Sequence, residues 1–234
     1  MKTLVCYVFH EYNSRVQHFI DNCMFEDPEV DFLLVINDTN LNVNAPSYVK
    51  VFNRENIGFD FGGWSEGILA NNLYKNYTHF IFANSSIVGP YLPDNYSGRW
   101  TDVFIHGLTD DVKLFGPTIN TCRDPMQKSH VQSYLFSMNL ETLEYLISKE
   151  IFSTTNYARN MYEAVWHKEV LMSLLVLHNG WNIGSLMEQY KDIDFTFKRE
   201  NPQIEYLDDI MCPREIGWDR FKQFVFIKGN RFGM

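Results

Sequence analysis

An alternation of strand-like and helix-like segments along the first hundred residues is the feature that most constrains the fold. Four short apolar runs have the length and composition of β-strands: residues 4–9, 32–36, 48–52 and 79–83. Segments with helical spacing of apolar residues lie between them, at residues 13–23 and 64–74. The run at 32–36 is apolar throughout, which is typical of a parallel strand covered on both faces. This alternation predicts an α/β fold with a mostly parallel central sheet and helices on both faces.

The second half of the chain is less regular. Strand patterns cover residues 103–106, 114–115, 131–138 and 224–227. A helix begins near residue 139, and a long helix extends from about residue 157 to residue 178, before Asn179-Gly180. No repeat, low-complexity tract or flexible linker divides the sequence, so we predict a single domain over residues 1–234.

The charge balance narrows the classes of partner. The chain has 20 basic and 29 acidic residues, which gives a formal net charge of −9. Nucleic acids and anionic membranes require clustered Lys and Arg, so neither is an expected partner. The apolar stretch that ends at His10 is too short for a signal peptide or a membrane span. The four cysteines form no C-x-x-C pair, so we expect buried free thiols and a cytosolic, reducing compartment.

A glycine-rich segment with one carboxylate is the strongest candidate for a binding site. It reads Asn-Ile-Gly-Phe-Asp-Phe-Gly-Gly-Trp over residues 56–64. Glycines permit close approach of backbone N–H groups to a ligand, and Asp60 places a carboxylate among them. The segment matches neither G-x-G-x-x-G nor G-x-x-x-x-G-K-[ST]. In the alternative interpretation the glycines only shape a turn, and Asp60 caps the next helix.

Polar side chains follow four of the predicted strands, at the points where the strands end. They are His10, Asp38, Asn56 with Asp60, and Asn84 with Ser86. Because ligands of parallel sheets bind beyond the carboxyl ends of the strands, we expect these side chains around one crevice.

Three segments carry a resemblance to a known family. They are RENIGFDFGGW at residues 54–64, FIFANSSIVGPYLP at residues 80–93 and FVFIKGNRF at residues 224–232. Together they resemble the rhamnan-synthesis F group of glycosyltransferases and the related enzymes of large algal viruses that decorate capsid glycans. The resemblance implies a GT-A fold, a UDP-sugar donor with rhamnose as the leading sugar, a glycan acceptor and a Mn²⁺ or Mg²⁺ cofactor. It implies a nucleotide-binding half at residues 1–100, an acceptor-side half at residues 101–234, and a cytoplasmic enzyme, in the host cytoplasm if viral.

The metal site implied by this resemblance departs from the usual pattern. GT-A enzymes generally hold the metal with Asp-x-Asp after the fourth strand, where this chain has Asn84-Ser85-Ser86. We therefore expect Asn84, Ser86 and Asp60 to bind the metal weakly, because hard cations favour carboxylates, with most affinity supplied by the diphosphate. The alternative for Asn84 and Ser86 is a strand-ending turn.

Residues expected to bind the donor come from both ends of the chain. They are His10, Asp38, Asn56, Gly58, Asp60, Asn84, Lys228 and Arg231. Lys228 and Arg231 flank a glycine turn and can reach a diphosphate, and their alternative role is that of solvated charges. The alternative for Asp38, expected at the uracil base, is an Asx-turn.

Catalytic roles are assigned to Glu169 and Gln132. Glu169 lies in the long helix and resembles the acid that contacts the transferred sugar in retaining GT-A enzymes, so we expect retention. Its alternative is a salt-bridged helical glutamate. Gln132, together with His130, is expected on the acceptor side. Two other functions stay open: a sugar nucleotidyltransferase, and an inactive sugar-nucleotide-binding domain, which the absence of Asp-x-Asp after the fourth strand would suit.

Overall fold

The computed structural model describes residues 2–121, 129–207 and 221–229, without the side chains of residues 221 and 222. Within these ranges the strands are β1 (Thr3–Phe9), β2 (Val30–Ile36), β3 (Val49–Asn53), β4 (His79–Asn84), β5 (Ile87–Val88), β6 (Val112–Gly116), β7 (Ile119–Asn120), β8 (His130–Val131), β9 (Leu135–Asn139), β10 (Asn182–Ser185) and β11 (Ile227–Lys228). The α-helices are α1 (Ser14–Asn22), α2 (Phe59–Leu69), α3 (Trp100–His106), α4 (Leu140–Ser148), α5 (Met161–Glu163) and α6 (Leu171–His178). A π-helical segment, Ala164–Val170, joins α5 to α6.

Seven strands form the central sheet in the order β10-β6-β9-β4-β1-β2-β3. The pairs β1–β2, β2–β3, β1–β4 and β6–β10 are parallel, and β9 is antiparallel to both of its neighbours. The predicted α/β class with a mostly parallel sheet is therefore confirmed. The antiparallel strand brings its amino end to the edge where β4 ends, since Leu135 pairs with Ala83.

Helices cover both faces of this sheet. The ring of Tyr7 in β1 stacks on Phe19 of α1, with centroids 4.0 Å apart. A Cβ on Gly63 of α2 would lie 2.6 Å from a Val8 methyl group, so α2 packs directly against the next residue of β1. Because successive side chains of a strand point to opposite faces, α1 and α2 lie on opposite sides of the sheet.

Two predicted segments differ from the structure because local capping and packing were not apparent in the pattern. Residues 103–106 are helical, not a strand: α3 begins after Arg99, whose backbone N–H donates to the Asp102 carboxylate 3.1 Å away. Helix α2 begins at Phe59, five residues before the predicted start, so Gly62 and Gly63 lie inside a helix. Neither glycine has room for a side chain. Gly63 packs against Val8, and a Cβ on Gly62 would lie 2.1 Å from the Ile57 carbonyl oxygen.

Strand lengths also differ in the second half. The predicted strand at 131–138 is divided into β8 and β9 by a turn, and the one at 224–227 is reduced to β11 after a short 3₁₀ helix, Phe221–Phe224. Cys6 and Cys23 are buried free thiols, as predicted, and the other two cysteines lie outside the described residues. Across the described part of the chain, every helix is too short or too polar to cross a membrane.

Candidate functional site

Asp60 and Asn84 meet at the carboxyl edge of the parallel strands. Asn84 ends β4, and its amide nitrogen donates to Asp60 Oδ2 at 2.8 Å. Asn84 pairs in register with Val8 and lies two residues from Phe82, which packs on Trp64 of α2, so its side chain points toward α2. The sequence expectation that these two residues converge is thus seen in the structure.

Asp60 lies in the first turn of α2 but does not cap it. The N-cap is Gly58, which has φ 78° and makes no side-chain capping bond. The carboxylate of Asp60 instead accepts a hydrogen bond from Asn84 and sits near the positive end of the helix dipole. The turn-and-cap alternative therefore does not explain Asp60.

The electrostatic environment of Asp60 is mixed. Burial raises the pKa of its carboxyl to about 6, against the hydrogen bond from Asn84 and the charges of His10 and Lys228, which lower it. The charge of Glu169 acts in the same direction as burial. These interactions show that residues from four parts of the chain share one electrostatic site.

The amide of Asn84 is engaged on both sides. Its Oδ1 accepts from the Ser86 backbone N–H at 3.0 Å and from the Ser86 hydroxyl at 2.5 Å, which is the strand-ending turn considered above. Within the described residues no group of three or more His, Cys, Asp or Glu side chains could hold a metal ion. One carboxylate and one engaged amide do not fit a divalent cation held by the protein alone.

Glu169 projects from the π-helical segment into the same region. It accepts a short hydrogen bond from the Ser133 hydroxyl, and its Oε1 lies 3.3 Å from Nε2 of His130. Burial would raise the pKa of this carboxyl, but the hydrogen bond and charge of His130, with Lys228 and Ser133, bring it below its ordinary value. Glu169 is thus a fixed, ionised carboxylate. Its position is compatible both with a role in the candidate site and with the alternative of a salt-bridged helical glutamate.

Lys228 reaches the site because the end of the described chain returns to β5. Strand β11 pairs antiparallel with β5, and the Gly229 N–H donates to the Ser86 carbonyl at 2.7 Å. The ammonium group lies 5.6 Å from the centroid of the Tyr134 ring. Its charge acts on both Asp60 and Glu169. Arg231 lies outside the described residues.

Three other predicted residues occupy different surroundings. Gln132 is buried, and its amide oxygen accepts from the Thr118 hydroxyl at 2.7 Å, so it is held inside the protein. Asp38 forms an Asx-turn, the alternative to a role at the uracil base, and its Oδ1 accepts from the Asn40 N–H at 2.8 Å. His10 is exposed at the end of β1.

Asn56 and Gly58 line a cleft beside the cluster rather than the cluster itself. The cleft has a volume of about 870 Å³ and lies between the turn before α2 and the segment that leads into α5. Its lining residues are Asn56, Ile57, Gly58, Phe59, Thr155, Asn156, Tyr157, Ala158, Arg159, Glu163 and His167.

A buried ion pair that the sequence analysis missed fixes the turn before α2. Arg54 is 4% exposed and donates to Asn37 Oδ1 and the Ile57 carbonyl, each at 2.8 Å. Its other contact is Glu66 of α2 at 2.5 Å, which also accepts from the Tyr157 hydroxyl at 2.7 Å. The position of Arg54 directly after β3 was the available signal for a buried charge. Its partners Asn37 and Glu66 could not be identified, because they are distant in sequence.

Comparison with known families identifies the chain. A family model described as "Rhamnan synthesis protein F" matches residues 36–225. The chain belongs to this family. The matched range includes Asp60, Asn84 and Glu169, whereas His10 and Lys228 lie outside it. Membership in the family points to a glycosyltransferase in general.

The individual proteins that match the chain share low sequence identity with it. Two curated proteins named "Virulence protein VirA", one from Vibrio anguillarum (strain ATCC 68554 / 775) and one from Vibrio anguillarum, are 29% identical over 102 residues. The match covers 42% of this chain and 29% of each relative, so the chain spans less than a third of their length. One solved structure, "Crystal Structure of A197 from STIV", aligns with a TM-score of 0.32 and 8% identity over 62% of this chain and 68% of that chain.

Proposed function

We propose that this protein is a GT-A-like glycosyltransferase that moves a sugar, with rhamnose as the leading candidate, from a UDP-sugar to a glycan acceptor. The observation that carries the proposal is the cluster of Asp60, Asn84, Lys228 and Glu169 at the carboxyl edge of the sheet, in a chain of the rhamnan synthesis protein F family. This is the edge at which α/β sheets bind ligands.

Lys228 is the residue we assign to the departing diphosphate. Sugar transfer builds negative charge on the leaving phosphate, and a nearby ammonium group stabilises that charge. Lys228 is held in place by the pairing of β11 with β5 and interacts with both carboxylates of the cluster. His10 and Asp38, at the ends of neighbouring strands, complete the proposed nucleotide side.

Glu169 is assigned to the transferred sugar, in a retaining reaction. Glycosyl transfer passes through a cationic sugar, which an ionised carboxylate stabilises. Because His130 and Ser133 hold Glu169 ionised, it is a poor general base, and this favours electrostatic stabilisation over deprotonation of the acceptor. We expect Glu169→Gln to lower kcat strongly with little change in donor affinity, and NMR of the product from a donor of known anomeric configuration to show retention.

Mn²⁺ or Mg²⁺ is proposed as a cofactor that binds together with the nucleotide. Of the three residues expected at the metal, Asp60 supplies the carboxylate, and Asn84 is engaged by Ser86. Calorimetric titration of Mn²⁺ should therefore show weak affinity for the free protein and much tighter affinity with UDP present. Equal affinities in the two titrations, or full activity in a chelator, would contradict this.

One assay separates the transferase from the two other functions. The protein is incubated with Mn²⁺ and UDP-sugars, with and without a glycan acceptor, and UDP release is followed. A nucleotidyltransferase would release no UDP but would form a nucleotide sugar from UTP and a sugar 1-phosphate. An inactive binding domain, which the lack of Asp-x-Asp at the end of β4 favours, would raise its melting temperature with donor but release no UDP.

A further inference from the structure

Exposed aromatic side chains are concentrated next to the cleft. Tyr162 is 65% exposed and Trp166 is 37% exposed, and they are four residues apart along the segment that joins α5 to α6. Their ring centroids are 6.2 Å apart. The Tyr162 ring also meets the His167 ring, which lines the cleft, at 5.9 Å and an interplanar angle of 78°. Tyr162, Trp166 and His167 thus form an aromatic ledge that meets the cleft at His167, the member of the three that lines it.

The other residues that line the cleft include both polar and apolar side chains. Ile57 is 45% exposed there, and Asn56 and Asn156 add side-chain amides. A sugar ring has an apolar face of C–H bonds and a rim of hydroxyl groups. Aromatic faces suit the first, and planar amides, with paired donors and acceptors, suit the second. A volume of about 870 Å³ is enough for an oligosaccharide segment.

Asn56 and Gly58, expected from the sequence to bind the donor, line this cleft, but its charged side chains favour an uncharged ligand over the nucleotide. Its arginine, Arg159, is committed to Glu163, with Nη2 at 2.6 Å and Nε at 3.0 Å from Oε1. A diphosphate is bound most strongly by an arginine whose charge is not already paired with a carboxylate. The cleft instead offers a balanced pair and neutral amides, which suit an uncharged ligand.

The cleft and the cluster share two structural elements. Gly58 and Phe59 line the cleft and directly precede Asp60. On the other side His167 lines the cleft, two residues before Glu169 in the same π-helical segment. π-Helical insertions commonly occur at functional sites, since they redirect neighbouring side chains. The cleft therefore borders the helix that carries Asp60 and the segment that carries Glu169, with His167 and Glu169 on different faces of that segment.

We propose that this cleft and its aromatic ledge bind the acceptor, as an uncharged oligosaccharide whose sugar rings stack on Tyr162 and Trp166. The proposal rests on the proposed transferase function and adds the acceptor site to it. Tyr162 and Trp166 act in acceptor binding and not in donor binding.

Substitutions on the ledge test the proposal by two separate measurements. The first is calorimetric titration with oligosaccharides prepared by partial hydrolysis of rhamnan. We expect Tyr162→Ala and Trp166→Ala each to weaken binding by about tenfold, which corresponds to about 1.4 kcal/mol. The control is Phe197→Ala, an exposed aromatic whose neighbours Lys198 and Arg199 lie near the amino ends of β6 and β10. It should bind as the wild type does.

The second measurement is kinetic. The ledge variants should raise KM for the oligosaccharide while KM for the UDP-sugar and UDP release without acceptor stay unchanged. Absence of UDP release by the wild type would contradict the transferase function. The titration does not depend on activity, so it would still test whether the cleft binds the oligosaccharide. No binding of rhamnan oligosaccharides by the wild type, or equal binding by wild type and ledge variants with unchanged melting temperatures, would overturn the proposal. If Trp166→Ala is unstable, the Tyr162→Ala variant alone tests the proposal, because Tyr162 is the more exposed of the two.

Discussion

The isosteric substitution Asp60→Asn should stabilise the fold while it removes activity. Burial raises the pKa of Asp60 to about 6, from the value of 3.8 for an unperturbed carboxyl. A difference of about two pH units between folded and unfolded chains corresponds to about 3 kcal/mol of unfavourable free energy when the group is ionised. Because the side chain is partly exposed, we expect an effect of about 2 kcal/mol at neutral pH.

Linkage between protonation and folding sets the pH dependence of this effect. Between about pH 4 and pH 6 the folded protein retains a proton on Asp60 that the unfolded chain releases, so wild-type stability falls as pH rises through this window. Above about pH 7 both states are ionised and the full cost is present, whereas near pH 3 both are protonated and the cost is absent. The gain from Asp60→Asn should therefore be large at pH 8 and small near pH 4.

Melting temperatures at pH 8, 6 and 4.5 measure this gain directly. For a chain of this size, about 2 kcal/mol corresponds to a rise of about 4–8 °C at pH 8. Transfer activity should fall by about a hundredfold or more, because removing one charge-stabilising group commonly has that effect. Asp21→Asn is the control, since Asp21 is exposed near the end of α1 and asparagine can accept the same hydrogen bond from Gln17. A variant less stable than wild type at pH 8, or a gain equal at all three pH values, would refute the reasoning.

Three further substitutions test the packing that positions the site, each by urea unfolding. Arg54→Met leaves Glu66 without its buried partner and should lower the free energy of unfolding by about 3–5 kcal/mol. Gly63→Ala places a Cβ 2.6 Å from a methyl group of β1 and should cost about 1–3 kcal/mol, whereas Gly98→Ala meets only a movable tyrosine ring and serves as its control. Lys168→Met removes an ammonium group that donates to three backbone carbonyls at 2.6–3.0 Å, and should cost about 1–3 kcal/mol. Changes below about 0.5 kcal/mol, the usual size at uninvolved surface positions, would contradict each of these interpretations.

The sheet could be predicted from the sequence because burial on both faces leaves continuous apolar runs. β2 shows this most clearly, and its run at residues 32–36 lies wholly within the strand. The start of α2 could not be predicted in the same way. Gly62 and Gly63 have low helix propensity, and only the close approach of α2 to β1 explains their place in a helix.

The site was predictable where it depends on topology. Asp60 comes after β3 and Asn84 ends β4, and the rule that ligands bind beyond parallel strands brings them together. The contacts of Glu169 with His130 and of Arg54 with Glu66 arise from the tertiary fold, and no local pattern indicates them. The surroundings of Gln132 and Asp38 have the same origin, since hydrogen-bond partners decide which way a polar side chain points.

The cluster at the carboxyl edge of the sheet is proposed to bind a nucleotide sugar and to promote cleavage of its bond to the diphosphate. The most direct measurement is the rate of UDP release from UDP-sugars with Mn²⁺ and rhamnan oligosaccharides, for wild type and Lys228→Met. We predict release by the wild type that depends on the acceptor, and a loss of about a hundredfold in Lys228→Met at unchanged melting temperature, because the leaving diphosphate loses its ammonium partner. No UDP release by the wild type from any UDP-sugar, or equal rates for the two proteins, would contradict the account.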